Sequence, residues 1–136
     1  MREILFRGKT EKGKWVYGGI AFQEDGEVVL VGALDKYYSL YDLGLNADYV
    51  IPDTVGQFTG LTDKNGTKIF EGDIISCQRY CYPDDRENYS VVFENGKFLL
   101  CDQKQHADFE IILIENVKYF DAVVVGNIHD NPELLN

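Results

Sequence analysis

Short apolar runs punctuated by Gly, Asn, Asp and Pro clusters recur along the whole chain, the pattern of β-strands joined by tight turns. Residues 4–8 read as a first strand. A Thr10-Glu11-Lys12-Gly13-Lys14 turn then returns the chain through Trp15–Phe22, giving a hairpin with aromatic side chains along it. An Asp25-Gly26 turn leads into the wholly apolar Val28–Val31. Tyr49-Val50-Ile51 is a short strand stopped by Pro52, which lacks a backbone donor. Residues 54–59 form another strand, ending at Gly60. The Asn65-Gly66 pair predicts a hairpin in which both residues take positive φ, with residues 67–70 as its return. Glu71-Gly72-Asp73 is a second tight turn, with Gly72 free to adopt the left-handed backbone. Its flanking Phe70 and Ile74 point to the core, and its carboxylates suit neighbouring backbone N–H groups.

The second half continues in the same way. Residues 74–80 form a strand, residues 82–88 an acidic exposed loop, and residues 89–93 and Lys97–Cys101 a hairpin about Asn95-Gly96. Residues 109–114 and 122–128 complete the set. Asn131, Pro132 and Glu133 mark the start of one short helical turn, Asn131 as its cap. Strands separated by turns about every 8 to 12 residues predict a mainly β protein, a barrel or sandwich. We expect residues 1–59 to form an antiparallel sheet lobe packed on an SH3-like small barrel formed by residues 60–136. No repeat or linker separates the two. Residues 34–48 admit two readings: a short helix ended near Gly44, or a surface loop displaying Tyr37, Tyr38 and Tyr41 as a contact patch.

Composition adds limits. The chain has 136 residues, 45% of them hydrophobic, which is ordinary for a globular domain. No apolar run approaches the roughly 18 residues that span a bilayer. The start, Met1-Arg2-Glu3-Ile4, has no apolar signal core, so a cytoplasmic setting is expected. Thirteen basic against twenty-three acidic residues give a net charge of −10, which repels a phosphate backbone at long range. The same charge suits either a plainly soluble surface or one that imitates DNA.

Candidate chemistry is sparse. Glu71 and Asp73 lie two apart, but no third ligand or base sits at useful spacing, so they read as turn residues rather than a cation or proton site. Cys77, Cys81 and Cys101 are odd in number and read as free thiols. With His106 they would complete a four-ligand zinc set only at loose spacing, so no metal or other cofactor is expected. His106 and His129 read as loop and structural histidines, and Trp15 as a core anchor rather than a ligand platform. There is no glycine-rich phosphate loop, metal-ligand cluster or nucleophile elbow, and hence no catalytic residue to name.

The central stretch carries a resemblance. Thr54-Val55-Gly56-Gln57-Phe58-Thr59-Gly60-Leu61, then Asp63-Lys64-Asn65-Gly66, then Ile69-Phe70-Glu71-Gly72-Asp73-Ile74 resembles the core motif of the YopX family of bacteriophage and prophage proteins. The opening Met1 to Arg7 and the closing stretch from Val125 to Leu135 resemble that family's ends. The resemblance implies a phage or prophage setting and no assigned enzymatic activity. The expectation is therefore a non-enzymatic accessory protein acting through contacts with a host or phage protein or with copies of itself. The alternative is a nucleic-acid-directed regulator, binding single strands on a barrel face or mimicking DNA with acidic rows.

Overall fold

A computed structural model describes residues 2–32, 47–78, 86–102, 112–113 and 121–136. The tyrosines at 37, 38 and 41, the helix-or-loop alternative before residue 47, Cys81 and His106 lie outside them. Within them the protein is mainly β, with two antiparallel sheets and two short 3₁₀ turns. The chain divides into two units, Met1–Phe58 and Thr59–Asn136. Among the described residues no helix is long and apolar enough to cross a membrane.

The N-terminal unit holds β1 (Phe6–Lys9), β2 (Trp15–Phe22), β3 (Val28–Val31) and β4 (Ala47–Val50), with β2 and β3 spanning the residues their patterns predict. Its strand order is β4-β3-β2-β1-β5, where β5 (Gly56–Thr62) leads on into the second unit. Alternation puts Phe6, Val16, Ile20, Leu30, Val28 and Val50 on one face, where they form a core with Val55. The sheet curls strongly. Val50 of β4 reaches across the interior to β1, so that a Cβ on Gly8 would lie 2.9 Å from the Val50 Cβ. The Ile51 N–H donates to the Lys9 carbonyl at 2.8 Å, joining the end of β4 to β1. Glycine at position 8 is what allows this approach.

In the C-terminal unit β5 borders β6 (Lys68–Phe70), and a five-stranded sheet runs β10-β9-β8-β7-β11. Its members are β7 (Asp73–Gln78), β8 (Arg86–Glu94), β9 (Lys97–Cys101), β10 (Ile112–Leu113) and β11 (Val123–Asn127). Its core is dense: Ile69, Ile75, Cys77, Tyr89, Val91, Leu100 and Ala122 are all buried. Among the described residues the order is open, with no pairing between β10 and β11.

Three local expectations need correction. Strand β5 does not stop at Gly60 but continues to Thr62, because Thr59 Oγ1 accepts the Leu61 N–H and donates to the Ile69 carbonyl, carrying the ladder past the kink. Strand β8 begins at Arg86 rather than Tyr89: Arg86, Glu87 and Asn88 pair with Gln78, Cys77 and Ser76, and the Asn88 amide donates to the Leu134 carbonyl. Asn131 stands at the cap position of the 3₁₀ turn Pro132–Leu135, but its side chain makes no cap. Its Oδ1 instead accepts the Asn127 N–H.

Candidate functional site

The turns decide which side chains are used up and which remain available. Three of them share one five-residue plan. In Thr10 to Lys14, Gln23 to Glu27 and Asp63 to Thr67, the first residue's N–H donates to the fifth residue's carbonyl at 2.9 Å, and the fourth residue's N–H donates back to the first carbonyl. The fourth residue is each time a glycine with φ between 82° and 88°. This is a type I turn closed by a left-handed residue. The Asn65-Gly66 turn therefore differs from the expected two-residue form, since only Gly66 has positive φ. The Asn95-Gly96 turn does take that form, with φ of 52° and 77° and Glu94 paired to Lys97.

Asp63 makes its turn a junction. Its Oδ1 accepts the Asn65 and Thr67 N–H groups at 2.9 Å each, and its Oδ2 accepts the N–H of Val124 in β11 at 3.0 Å. Burial works to raise its pKa, but the N–H donors of Val124, Thr67 and Asn65, with the Thr67 hydroxyl, outweigh this and hold the carboxyl below its ordinary value. The residue is 6% exposed, and sequence reasoning passed over it as one more turn aspartate. The Glu71-Gly72-Asp73 turn is built as expected. Gly72 has φ of 90°, Asp73 Oδ2 accepts the Phe70 N–H at 2.8 Å, and Phe70 and Ile74 are buried. The Gly72 N–H also donates to the Val91 carbonyl, and its carbonyl accepts from Ile128, so this turn too ties strands together.

The other candidates are likewise engaged. Cys77 is fully buried in β7 and its thiol is pushed up to about 11, by burial against a smaller opposing pull from Arg86. Cys101 is half-buried, and burial, Glu94 and Asp102 raise it too, so both thiols stay protonated at neutral pH. Among the described residues no three His, Cys, Asp or Glu side chains lie close enough to share a metal ion. His129 sits half-buried in the turn after β11, its N–H on Asn127 Oδ1. Trp15 is half-buried, with the Arg7 guanidinium 4.9 Å from its ring centroid. Asp121, at φ of 51°, takes Lys64 Nζ at 3.1 Å and an Arg86 nitrogen at 3.2 Å on one oxygen, and these bonds, that from Lys64 foremost, lower its pKa.

An open surface lies in the N-terminal unit. A groove of about 820 Å³ is lined by the β1–β2 turn, the β2–β3 turn and the chain from Asp48 to Pro52. Its walls are held by backbone. The Thr54 hydroxyl donates to the Ile51 carbonyl at 2.6 Å and accepts the Lys9 N–H at 2.8 Å, clamping the 3₁₀ turn Pro52–Thr54 onto β1. Asp25 Oδ1 accepts the Glu27 N–H, fixing the opposite wall. One exposed aromatic lines the groove, Tyr49 at 55%, with its Oη 3.0 Å from Gln23 Nε2; Phe22, 74% exposed, precedes the β2–β3 turn and pairs with Val28, on the sheet face opposite Tyr49. Alternation sets Tyr49 on the sheet face opposite the core residues Val28 and Val50.

A mainly β protein in which Asp63, Asp73 and Cys77 are taken up by backbone and core, with an open groove in its N-terminal unit, is the class these features define. Residues 5–136 match the family model for the YopX protein, and the chain belongs to that family. Its fold is similar to that of protein EF1440 from Enterococcus faecalis, at 25% identity and TM-score 0.59 over 100% of both chains. It is also similar to protein yopX from Bacillus subtilis, at 18% identity and TM-score 0.56 over 100% of this chain and 98% of that one. Among curated proteins none matches the sequence.

Proposed function

We infer that the protein is a non-enzymatic phage or prophage accessory protein that works by docking another protein on its N-terminal unit. One observation carries this reading: Tyr49, 55% exposed, lines an open groove whose β2–β3 turn follows the 74% exposed Phe22, while among the described residues Asp63, Asp73 and Cys77 are committed to the fold. Exposed aromatic side chains beside a concavity are the anchors from which protein interfaces draw most of their energy. The rival apolar site, Phe93 in the C-terminal unit, is 52% exposed but already packs edge-on against Phe98 at 5.0 Å. A net charge of −10 further favours a protein partner over nucleic acid.

The test is affinity capture from a lysogenic host after nuclease treatment, comparing wild type with a folded Phe22→Ser, Tyr49→Ser variant. A defined partner, or a second copy of this chain, should be retained by wild type and lost by the variant. Retention of the same proteins by both, or capture of nucleic acid alone before nuclease, would overturn the reading.

A further inference from the structure

The groove has a chemical polarity that says what kind of segment fits it. Four carboxylates line it, those of Glu11, Asp25, Glu27 and Asp48, against two ammonium groups, Lys12 and Lys14. All six side chains are on exposed residues. The carboxylates do not converge on a point, since no three acidic groups among the described residues are placed to share a metal ion. They are instead distributed along walls whose apolar parts are the buried Val28 and Val50 and the exposed Tyr49, Ile51 and Pro52. A volume of about 820 Å³ lies within the range of roughly 300 to 1,000 Å³ usual for ligand sites.

Spread carboxylates over an apolar floor suit a chain that offers cations at intervals and aliphatic side chains between them. A lone ion would find no shared ligands, and a polyanion would meet repulsion. The groove runs along the chain from Asp48 to Pro52 between the β1–β2 and β2–β3 turns, a course that an extended segment can follow. We propose that this groove binds an extended, basic-apolar peptide segment of a partner protein. This rests on the docking reading above and adds the chemistry of what is docked.

The experiment is fluorescence anisotropy on the full chain with a labelled octapeptide of alternating lysine and valine, and with its glutamate-valine counterpart. The lysine peptide should bind, more weakly as salt rises, and the glutamate peptide should not. An Asp25→Asn, Glu27→Gln variant keeps the acceptor oxygen that fixes its turn. It should bind the lysine peptide roughly three- to tenfold more weakly, as the loss of two exposed ion pairs implies. Glu133→Gln, far along the chain in the C-terminal unit, should change nothing. Equal binding of both peptides, an unchanged affinity in the double variant, or an equal loss with Glu133→Gln would overturn the proposal. If the lysine peptide fails while Phe22→Ser, Tyr49→Ser still abolishes partner capture, the basic-peptide proposal falls and the docking reading stands. If partner capture is also insensitive to that variant, both fall.

Discussion

The two units handle their exposed and buried chemistry in opposite ways. In the C-terminal unit seven apolar residues make one buried cluster, and Asp63 and Asp73 are sunk into the structure with backbone N–H groups on their oxygens. Among the described residues of the N-terminal unit the buried cluster has four members, the carboxylates of Glu11, Asp25 and Glu27 stay in solvent, and Phe22 and Tyr49 are left outside. Asp63, buried and held by three N–H donors and the Thr67 hydroxyl, has its roughly four acceptor sites filled, whereas a rim carboxylate loses little water to a partner that can replace it. The same residue type is thus structural in one unit and available in the other, and burial rather than sequence motif decides which.

This contrast gives a graded set of outcomes. Ile75→Ala, in the densest cluster, should cost the most, about 4 kcal/mol by urea denaturation, through lost burial and the cavity left behind. Asp63→Ala follows at about 3 kcal/mol, because three backbone donors lose a charged acceptor. The pH dependence has a definite sign. Asp63 has a folded pKa below its ordinary 3.8, so its contribution is complete above that value and is lost as pH falls through the lower, folded one. Asp63→Asn should therefore be less stable near neutrality and show a shallower loss of stability below about pH 4. A melting series that runs parallel to wild type across that range would show that the carboxylate is not the junction.

Gly72→Val should cost about 2 to 3 kcal/mol for forcing a β-branched residue to φ of 90°. The paired hairpins sharpen the comparison at smaller scale. Asn95→Ala should lose about 1 kcal/mol, since position 95 needs positive φ, while Asn65→Ala should be nearly neutral. Equal costs would mean that the two Asn-Gly turns are alike after all. Smallest of all, Phe22→Ser and Tyr49→Ser should leave the melting midpoint within the equivalent of about 0.5 kcal/mol, as expected for exposed positions.

Much of the fold was legible because turns and strands write themselves locally. Trp15–Phe22 and Val28–Val31 alternate or run apolar between glycine turns, and the structure places β2 and β3 there. The family was legible from the motif around Gly56, Gly66 and Gly72, which the match over residues 5–136 shows. Less visible was the difference between the Asn-Gly turns. It is set by the residue two before the asparagine: Asp63 bonds Asn65, Thr67 and Val124, the last 61 residues away along the chain. The common plan of the turns at 10–14, 23–27 and 63–67 was present as a glycine in the fourth position of each. The start of β8 was hidden because Arg86, Glu87 and Asn88 look like loop residues by composition. Ladder bonds to β7 and the guanidinium contacts of Arg86 with Ser76 and Asp121 override that propensity. The groove was hidden for a related reason, since it exists only once β4 curls back onto β1.

The most direct test of the docking account is amide hydrogen exchange on the complex recovered by capture, against the free chain. Docking on the N-terminal unit predicts slowed exchange in segments covering residues 22–28 and 47–52, with residues 89–101 and 123–128 unchanged. Protection confined to the C-terminal strands, with residues 22–28 and 47–52 exchanging as in the free protein, would contradict it.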